Sequence, residues 1–243
     1  MQNKLAVSEV FYSIQGEGAT MGKPSVFVRL GGCNLMCGGM GTQFDGELHN
    51  GATWRCDTVE VWMRAKSKPF KHILPDDCLN AIMNDAHLIV TGGEPLMQQD
   101  AVKEFILFVR ELINPNVFVE IETNGTIEPN EALRQQVDLF NVSPKLSNSG
   151  NDKSQTFNKK ALKTFNEISS IFKFVVSNEK DYEEIMADYS EIIDRDKVYL
   201  MPAGENQELL NQNKEYVAEL CITEHFNYCT RLHIEIWNQK TGV

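Results

Sequence analysis

The chain has 243 residues, 42% hydrophobic and 23% charged, which excludes collagen-like, coiled-coil and disordered classes. Its formal charge of −11 gives no basic excess for a polyanion partner, and no apolar run reaches the roughly 18 residues that a membrane helix needs. No apolar signal core follows Met1, so the expected compartment is the cytoplasm, with neither nucleic acid nor membrane as a direct partner.

In chain order, apolar β-branched runs predict strands at Ser25–Leu30, Ala86–Val90, Val117–Ile121, Leu139–Val142, Ile171–Val176, Val198–Met201 and Leu232–Ile236. Helical spacing lies between them, roughly at Pro75–Asn84, Ala101–Ile113, Pro129–Gln136, Asn158–Asn166, Tyr182–Ile193 and Gln207–Phe226. Asp100 is the expected N-cap of the second of these, and Pro115 stops it. The polar stretch 145–155 reads as a loop. Strands alternating with helices at this spacing predict βαβ units, a parallel sheet and one α/β domain over residues 1–243. Six strands run into small, polar or glycine-rich segments, among them Gly31-Gly32-Cys33, Thr91-Gly92-Gly93-Glu94, Glu122-Thr123-Asn124-Gly125 and Ser143-Pro144-Lys145. In parallel α/β folds the ligand sits at such ends, so six in register predict one large site.

Six cysteines are present, and three of them, Cys33, Cys37 and Cys56, fall within 24 residues. Clustered thiols in a reducing compartment point to metal or redox chemistry, either an iron–sulfur cluster or zinc. A [4Fe–4S] cluster held by three cysteines keeps one iron open to a ligand. Cys221 and Cys229 lie eight apart, about 12 Å on one helix and too far for a disulfide; with Cys78 they read as packing residues. The five histidines show no ligand spacing. At Gly92-Gly93-Glu94, a glycine pair lets backbone approach closely, and one acidic side chain suits a ligand ammonium.

Cys33-x3-Cys37 after the first predicted strand, together with Gly92-Gly93-Glu94, resembles the radical S-adenosylmethionine enzymes. A closer resemblance lies in Phe11-Tyr12-Ser13-Ile14-Gln15-Gly16-Glu17-Gly18, Val26-Phe27-Val28-Arg29-Leu30, Cys56-Asp57-Thr58, Glu120-Ile121-Glu122-Thr123-Asn124-Gly125 and Arg231-Leu232-His233-Ile234. These are similar to the 7-carboxy-7-deazaguanine synthase family, from about residue 8 to the C-terminus. One feature departs: the family's third cysteine usually stands two residues after the second, whereas here the 18 residues 38–55 intervene.

The resemblance implies a partial, modified (β/α)6 barrel and a homodimer. It implies ring contraction of 6-carboxy-5,6,7,8-tetrahydropterin to 7-carboxy-7-deazaguanine with loss of ammonia, initiated by a 5′-deoxyadenosyl radical. The cofactors implied are a [4Fe–4S] cluster on Cys33, Cys37 and Cys56, S-adenosylmethionine, and Mg²⁺ at Thr58; an electron donor of flavodoxin or ferredoxin type is implied as partner. Residues expected at S-adenosylmethionine are Arg55, Asp57, Gly93, Glu94, Ser143, Pro144, Lys145, Asn178, Glu179, Lys180 and Asp181. Those expected at the pterin are Ile14, Gln15, Gly16, Arg29, Thr91 and the terminal carboxylate of Val243. Three bland readings stand beside these: a structural role for Glu94, an ion pair within the sheet for Arg29, and a helix cap for Thr58. The competing functions are another radical S-adenosylmethionine enzyme, such as an activating enzyme for a glycyl-radical partner, or a non-catalytic metal-binding module.

Overall fold

The computed structural model describes residues 4–62, 65–240 and 242. Nine strands form one sheet: β1 (Lys4–Ile14), β2 (Pro24–Leu30), β3 (Lys66–Pro69), β4 (His87–Gly92), β5 (Val119–Thr123), β6 (Leu139–Val142), β7 (Ser170–Val176), β8 (Val198–Pro202) and β9 (Asn227–Tyr228). Their order is β3-β1-β2-β4-β5-β6-β7-β8-β9. Strands β2 and β4 to β9 run parallel, while β1 pairs antiparallel with both β2 and β3. The helices are α1 (Thr42–Asp45), α2 (Asp76–Met83), α3 (Gln99–Leu112), α4 (Glu131–Arg134), α5 (Lys153–Thr156), α6 (Lys159–Asn166), α7 (Glu179–Asp188), α8 (Gln207–Glu224) and α9 (Leu232–Trp237). The six strands β2 and β4 to β8, with helices in the crossovers, make the expected partial (β/α)6 barrel. Among the described residues no helix is long and apolar enough to cross a membrane.

Strand alternation divides the sheet into two chemically different faces. Val28, Val90, Val119, Ile121, Phe140, Val142, Phe172, Phe174 and Leu200 join one core, packed with Phe105, Ile106 and Val109 of α3. The intervening positions carry Arg29, Thr91, Glu120, Glu122, Asn141 and Lys173, which line the inner face of the barrel. That polar inner face is the floor of the site.

Four expectations change. The run Leu232–Ile236 is helical, in α9, and the edge strand is the short β9 just before it. Asp100 lies in the first turn of α3, whose N-cap is Gln98; its carboxylate instead accepts from Asn130 Nδ2 at 3.2 Å. The stretch 145–155 contains a 3₁₀ turn at Ser147–Ser149 and the start of α5. Cys229 lies after β9, outside the helix that holds Cys221, and both are free thiols.

Candidate active site

The cluster loop is set by backbone contacts between strand ends. Gly93 N–H donates to Leu30 O at 2.9 Å, and Glu94 N–H to Gly32 O at 2.8 Å, so the turn after β4 clamps the turn that carries Cys33. The long insertion closes on itself, because Cys56 N–H donates to Cys37 O at 3.1 Å. Its 18 residues therefore leave and return at one place, and the third thiol is brought back to the second. The insertion is pinned to the turn after β6: Gly38 N–H reaches Ser149 O at 2.9 Å, Thr53 N–H reaches Asn148 O at 2.9 Å, and Trp54 Nε1 donates to Asn148 Oδ1 at 2.9 Å.

Burial pushes the Cys33 thiol up to about 11 and that of Cys37 up to about 12; Cys56 is raised as well, again by burial. In each case the other thiols add repulsion or the acidic neighbours do, and the Lys145 cation opposes it at Cys33 and Cys37. Such thiols ionise when a metal compensates their charge. Each sulfur has a polar neighbour: Leu35 N–H at 3.5 Å from Cys33 Sγ, Asn151 Nδ2 at 3.6 Å from Cys37 Sγ, and Thr58 Oγ1 at 3.4 Å from Cys56 Sγ. Among the described residues no three His, Cys, Asp or Glu side chains converge on a single-ion point. Three cysteines on this loop can fill three corners of a [4Fe–4S] cluster and leave one iron open.

Several assigned side chains have other work. Glu94 is fully buried and accepts from Leu96 N (2.9 Å), Thr123 Oγ1 (2.7 Å) and Asn124 N (2.8 Å). Its carboxylate ties the turns after β4 and β5 together. Glu94→Gln turns one acceptor oxygen into a donor facing donors, so the apoprotein should lose about 2 kcal/mol, read as a lowered urea midpoint. An unchanged midpoint would show that these bonds contribute nothing. Asn178 and Asp181 form a reciprocal capping box on α7, with Asp181 Oδ2 accepting from Ser177 N at 2.7 Å. They are occupied by the helix, Glu179 accepts from Tyr216 OH at 3.1 Å, and Lys180 is exposed. The Asn-x-x-Asp spacing was the available signal. Lys145 Nζ donates to Ser143 Oγ at 2.8 Å, which keeps Ser143, the buried Pro144 and Lys145 together beside the thiols. Arg55 donates to Gly46 O at 3.2 Å and lines, with Trp54, Ser177 and Gly204, a 240 Å³ cavity between the insertion and the ends of β7 and β8.

On the inner face Gln15 is buried and its Nε2 donates to Glu120 Oε1 and Glu122 Oε1, both at 3.1 Å. Thr91 Oγ1 donates to Glu122 Oε2 at 2.6 Å, and Asn141 Nδ2 to Glu120 Oε1 at 3.0 Å. Burial and the neighbouring Glu122 charge push Glu120 up to about 7. Ile14 ends β1 opposite Pro24. Arg29 pairs with Glu9 at 3.1 Å and stands over the Phe11 ring, so the ion-pair reading holds, although its register partner Thr91 keeps it beside the pocket wall. Val243 lies outside the described residues.

Glu17, Glu120, Glu122, Asn141, Lys173, Arg231 and His233 were given no role in the site from sequence, yet they complete the interior. Glu17 pairs with both Lys173 and Arg231; these cations outweigh burial and hold its carboxyl well below the usual range. His233 is pushed down by burial and fills the space beside Gly16, where a Cβ would stand 2.2 Å from Nδ1. Polar residues at alternate positions of otherwise apolar strands were the signal for four of them.

A partial parallel barrel, with three thiols and a Gly-Gly-Glu turn at its strand ends over a polar interior, defines a radical S-adenosylmethionine enzyme. No family model matches the chain. It is 34% identical over 184 residues to the 7-carboxy-7-deazaguanine synthase of Pyrobaculum aerophilum, covering 75% of this chain and 71% of that one. The synthase of Clostridium acetobutylicum is 31% identical over 183 residues, 74% of this chain and 72% of the other. With the Halobacterium salinarum synthase the match is 35% over 60% of this chain, spanning only 47% of that longer protein. In three dimensions the chain is similar to the crystal structure of QueE from Escherichia coli, with TM-score 0.64, 95% of both chains covered and 22% identity. The chain belongs to the 7-carboxy-7-deazaguanine synthase family. It is a radical S-adenosylmethionine lyase of 7-deazaguanine biosynthesis, whose cofactors are a [4Fe–4S] cluster, S-adenosylmethionine and Mg²⁺.

Proposed function

We propose that residues 1–243 act as one domain that contracts 6-carboxy-5,6,7,8-tetrahydropterin to 7-carboxy-7-deazaguanine, with Cys33, Cys37 and Cys56 as cluster ligands. The return of Cys56 to the Cys37 carbonyl carries this reading, since it restores the compact three-thiol loop across the insertion. When bound, the cluster and S-adenosylmethionine supply the one-electron chemistry that starts the reaction. The chain's own residues bind and orient. Backbone at Gly93 and Glu94 receives the cofactor's amino acid end, and Lys145 balances thiolate charge. The cavity beside Trp54 and Arg55 takes the cofactor's nucleoside end. Gln15, Thr91 and the two inner-face glutamates offer matched donors and acceptors to a pterin edge, in a closed interior where such bonds gain strength. The same resemblance supports a flavodoxin- or ferredoxin-like electron donor and a homodimer.

The test is an anaerobic incubation of the reconstituted chain with carboxytetrahydropterin, S-adenosylmethionine, Mg²⁺ and dithionite. Product at the mass of 7-carboxy-7-deazaguanine is expected; cofactor cleavage that ignores the pterin would favour the activating-enzyme alternative.

Thr58 is the Mg²⁺ residue in this reading. Its hydroxyl faces the Cys56 sulfur, and its carbonyl, not its side chain, bonds the following turn by accepting from Val61 N at 3.1 Å. Magnesium favours hard oxygen donors and keeps several waters, so one hydroxyl with substrate oxygens suffices. Thr58→Ala should abolish magnesium stimulation at an unchanged melting temperature. A lowered melting temperature with stimulation retained would leave Thr58 a structural residue.

A further inference from the structure

Arg231 is buried, at 8% exposure, and its guanidinium reaches three segments far apart in the chain. Nε donates to Glu17 Oε1 at 2.9 Å, in the turn between β1 and β2. One terminal nitrogen donates to Gly204 O at 2.8 Å, just past the end of β8, and the other pairs with Asp57. Asp57 directly follows the thiol Cys56. The residue after Arg231 is docked as well: Leu232 N–H donates to Gly16 O at 2.9 Å. The segment before α9 therefore lies against the pterin-side turn and grips the cluster loop from below.

We propose that Arg231 is a positioning residue that couples the two halves of the site, holding Cys56 through Asp57 in register with the pterin-side turn through Glu17. The proposal rests on the reading that cluster and pterin share this site. A planar fork with donors in three directions fits this task, and a lysine ammonium does not, because it lacks the fixed geometry. Small displacements matter here, since an ångström of misplacement is enough to cost large factors in rate. The expected consequence is uncoupling: the cofactor is still cleaved, but fewer cleavages lead to product.

The experiment compares the anaerobically reconstituted full chain with Arg231→Lys, Asp57→Asn and the double variant. Four quantities are read: iron content, melting temperature, the electron paramagnetic resonance spectrum of the reduced cluster with and without S-adenosylmethionine, and 5′-deoxyadenosine released per product formed. Each single variant should keep its iron, alter the cofactor-induced change in the spectrum, and raise the release ratio on the order of tenfold. The double variant should be no worse than Arg231→Lys alone, because the link to Asp57 is already lost there. A native spectrum and native ratio in Arg231→Lys overturn the proposal, even if the melting temperature falls. So do single effects that multiply in the double variant. Should Arg231→Lys not fold, Asp57→Asn decides alone, since it removes only the arm toward the cluster. Failure of the underlying reading looks different: the native chain itself would show no spectral response to S-adenosylmethionine.

Discussion

Gly93→Ala should cost at least about 3 kcal/mol and leave the chain unable to hold a full cluster. A Cβ at this position would stand 1.8 Å from Gly32 O, 2.3 Å from Gly32 C and 2.9 Å from Cys33 N. All three are backbone atoms, so no flexible side chain end yields. Relief requires the turn after β2 to move away from the turn after β4, which breaks the Glu94 N–H bond to Gly32 O and displaces Cys33. Gly32→Ala is the control. Gly32 has φ +89, but its Cβ would meet nothing within 4 Å, so only the left-handed backbone cost of about 1–2 kcal/mol applies. Iron per chain and the urea midpoint separate the two variants. Native iron content in Gly93→Ala would contradict the close-approach argument.

The second large effect is a pH dependence centred on Glu120. Its carboxyl is raised from an ordinary 4.5 to about 7 by burial and by Glu122, whereas in the unfolded chain it titrates normally. The native state thus holds the proton more tightly than the unfolded one. This contribution to stability is fully present below about pH 4.5 and is lost as pH rises through about 7, a decline of about 3 kcal/mol for the ligand-free chain. Glu17 and Asp57 act in the opposite sense, since Lys173 and Arg231 lower them and their contribution disappears in acid. A single profile would therefore mix the two. The difference between Glu120→Gln and the native chain isolates the first, because an amide keeps the shape of the neutral acid and does not ionise. The variant should gain on the native chain by about 2.5 kcal/mol between pH 5 and pH 8. A flat difference would show that Glu120 ionises freely in its pocket.

Much of the fold was legible because parallel strands covered on both sides read as apolar runs. β2 and β4 to β8 fall within two residues of the expected spans, and so do the ends of α3 and α8. The failures have definite causes. In Leu232–Trp237 apolar residues alternate with polar ones in the manner of a strand, yet one buried residue, Ile234, and a backbone bond to Gly16 set the local structure. β3 is polar and pairs only with β1, so no apolar run announced it. The thiol loop and the two glycine turns were legible as motifs, since each needs a residue type that nothing else replaces. The charged interior was less so. Lys173 and Arg231 are 58 positions apart, and only the folded barrel shows that both close on Glu17. Asn178 and Asp181 form the capping box of α7, and their three-residue spacing was legible in the sequence.

The account turns on Cys56 completing, across the insertion, a three-thiol cluster with one open iron. Mössbauer spectroscopy of the ⁵⁷Fe-reconstituted chain tests this most directly. The native chain should carry about four irons, one of which changes its signal when S-adenosylmethionine is added. Cys56→Ala should lose that assembly. A full cluster in Cys56→Ala, with the same response to S-adenosylmethionine, would contradict the account.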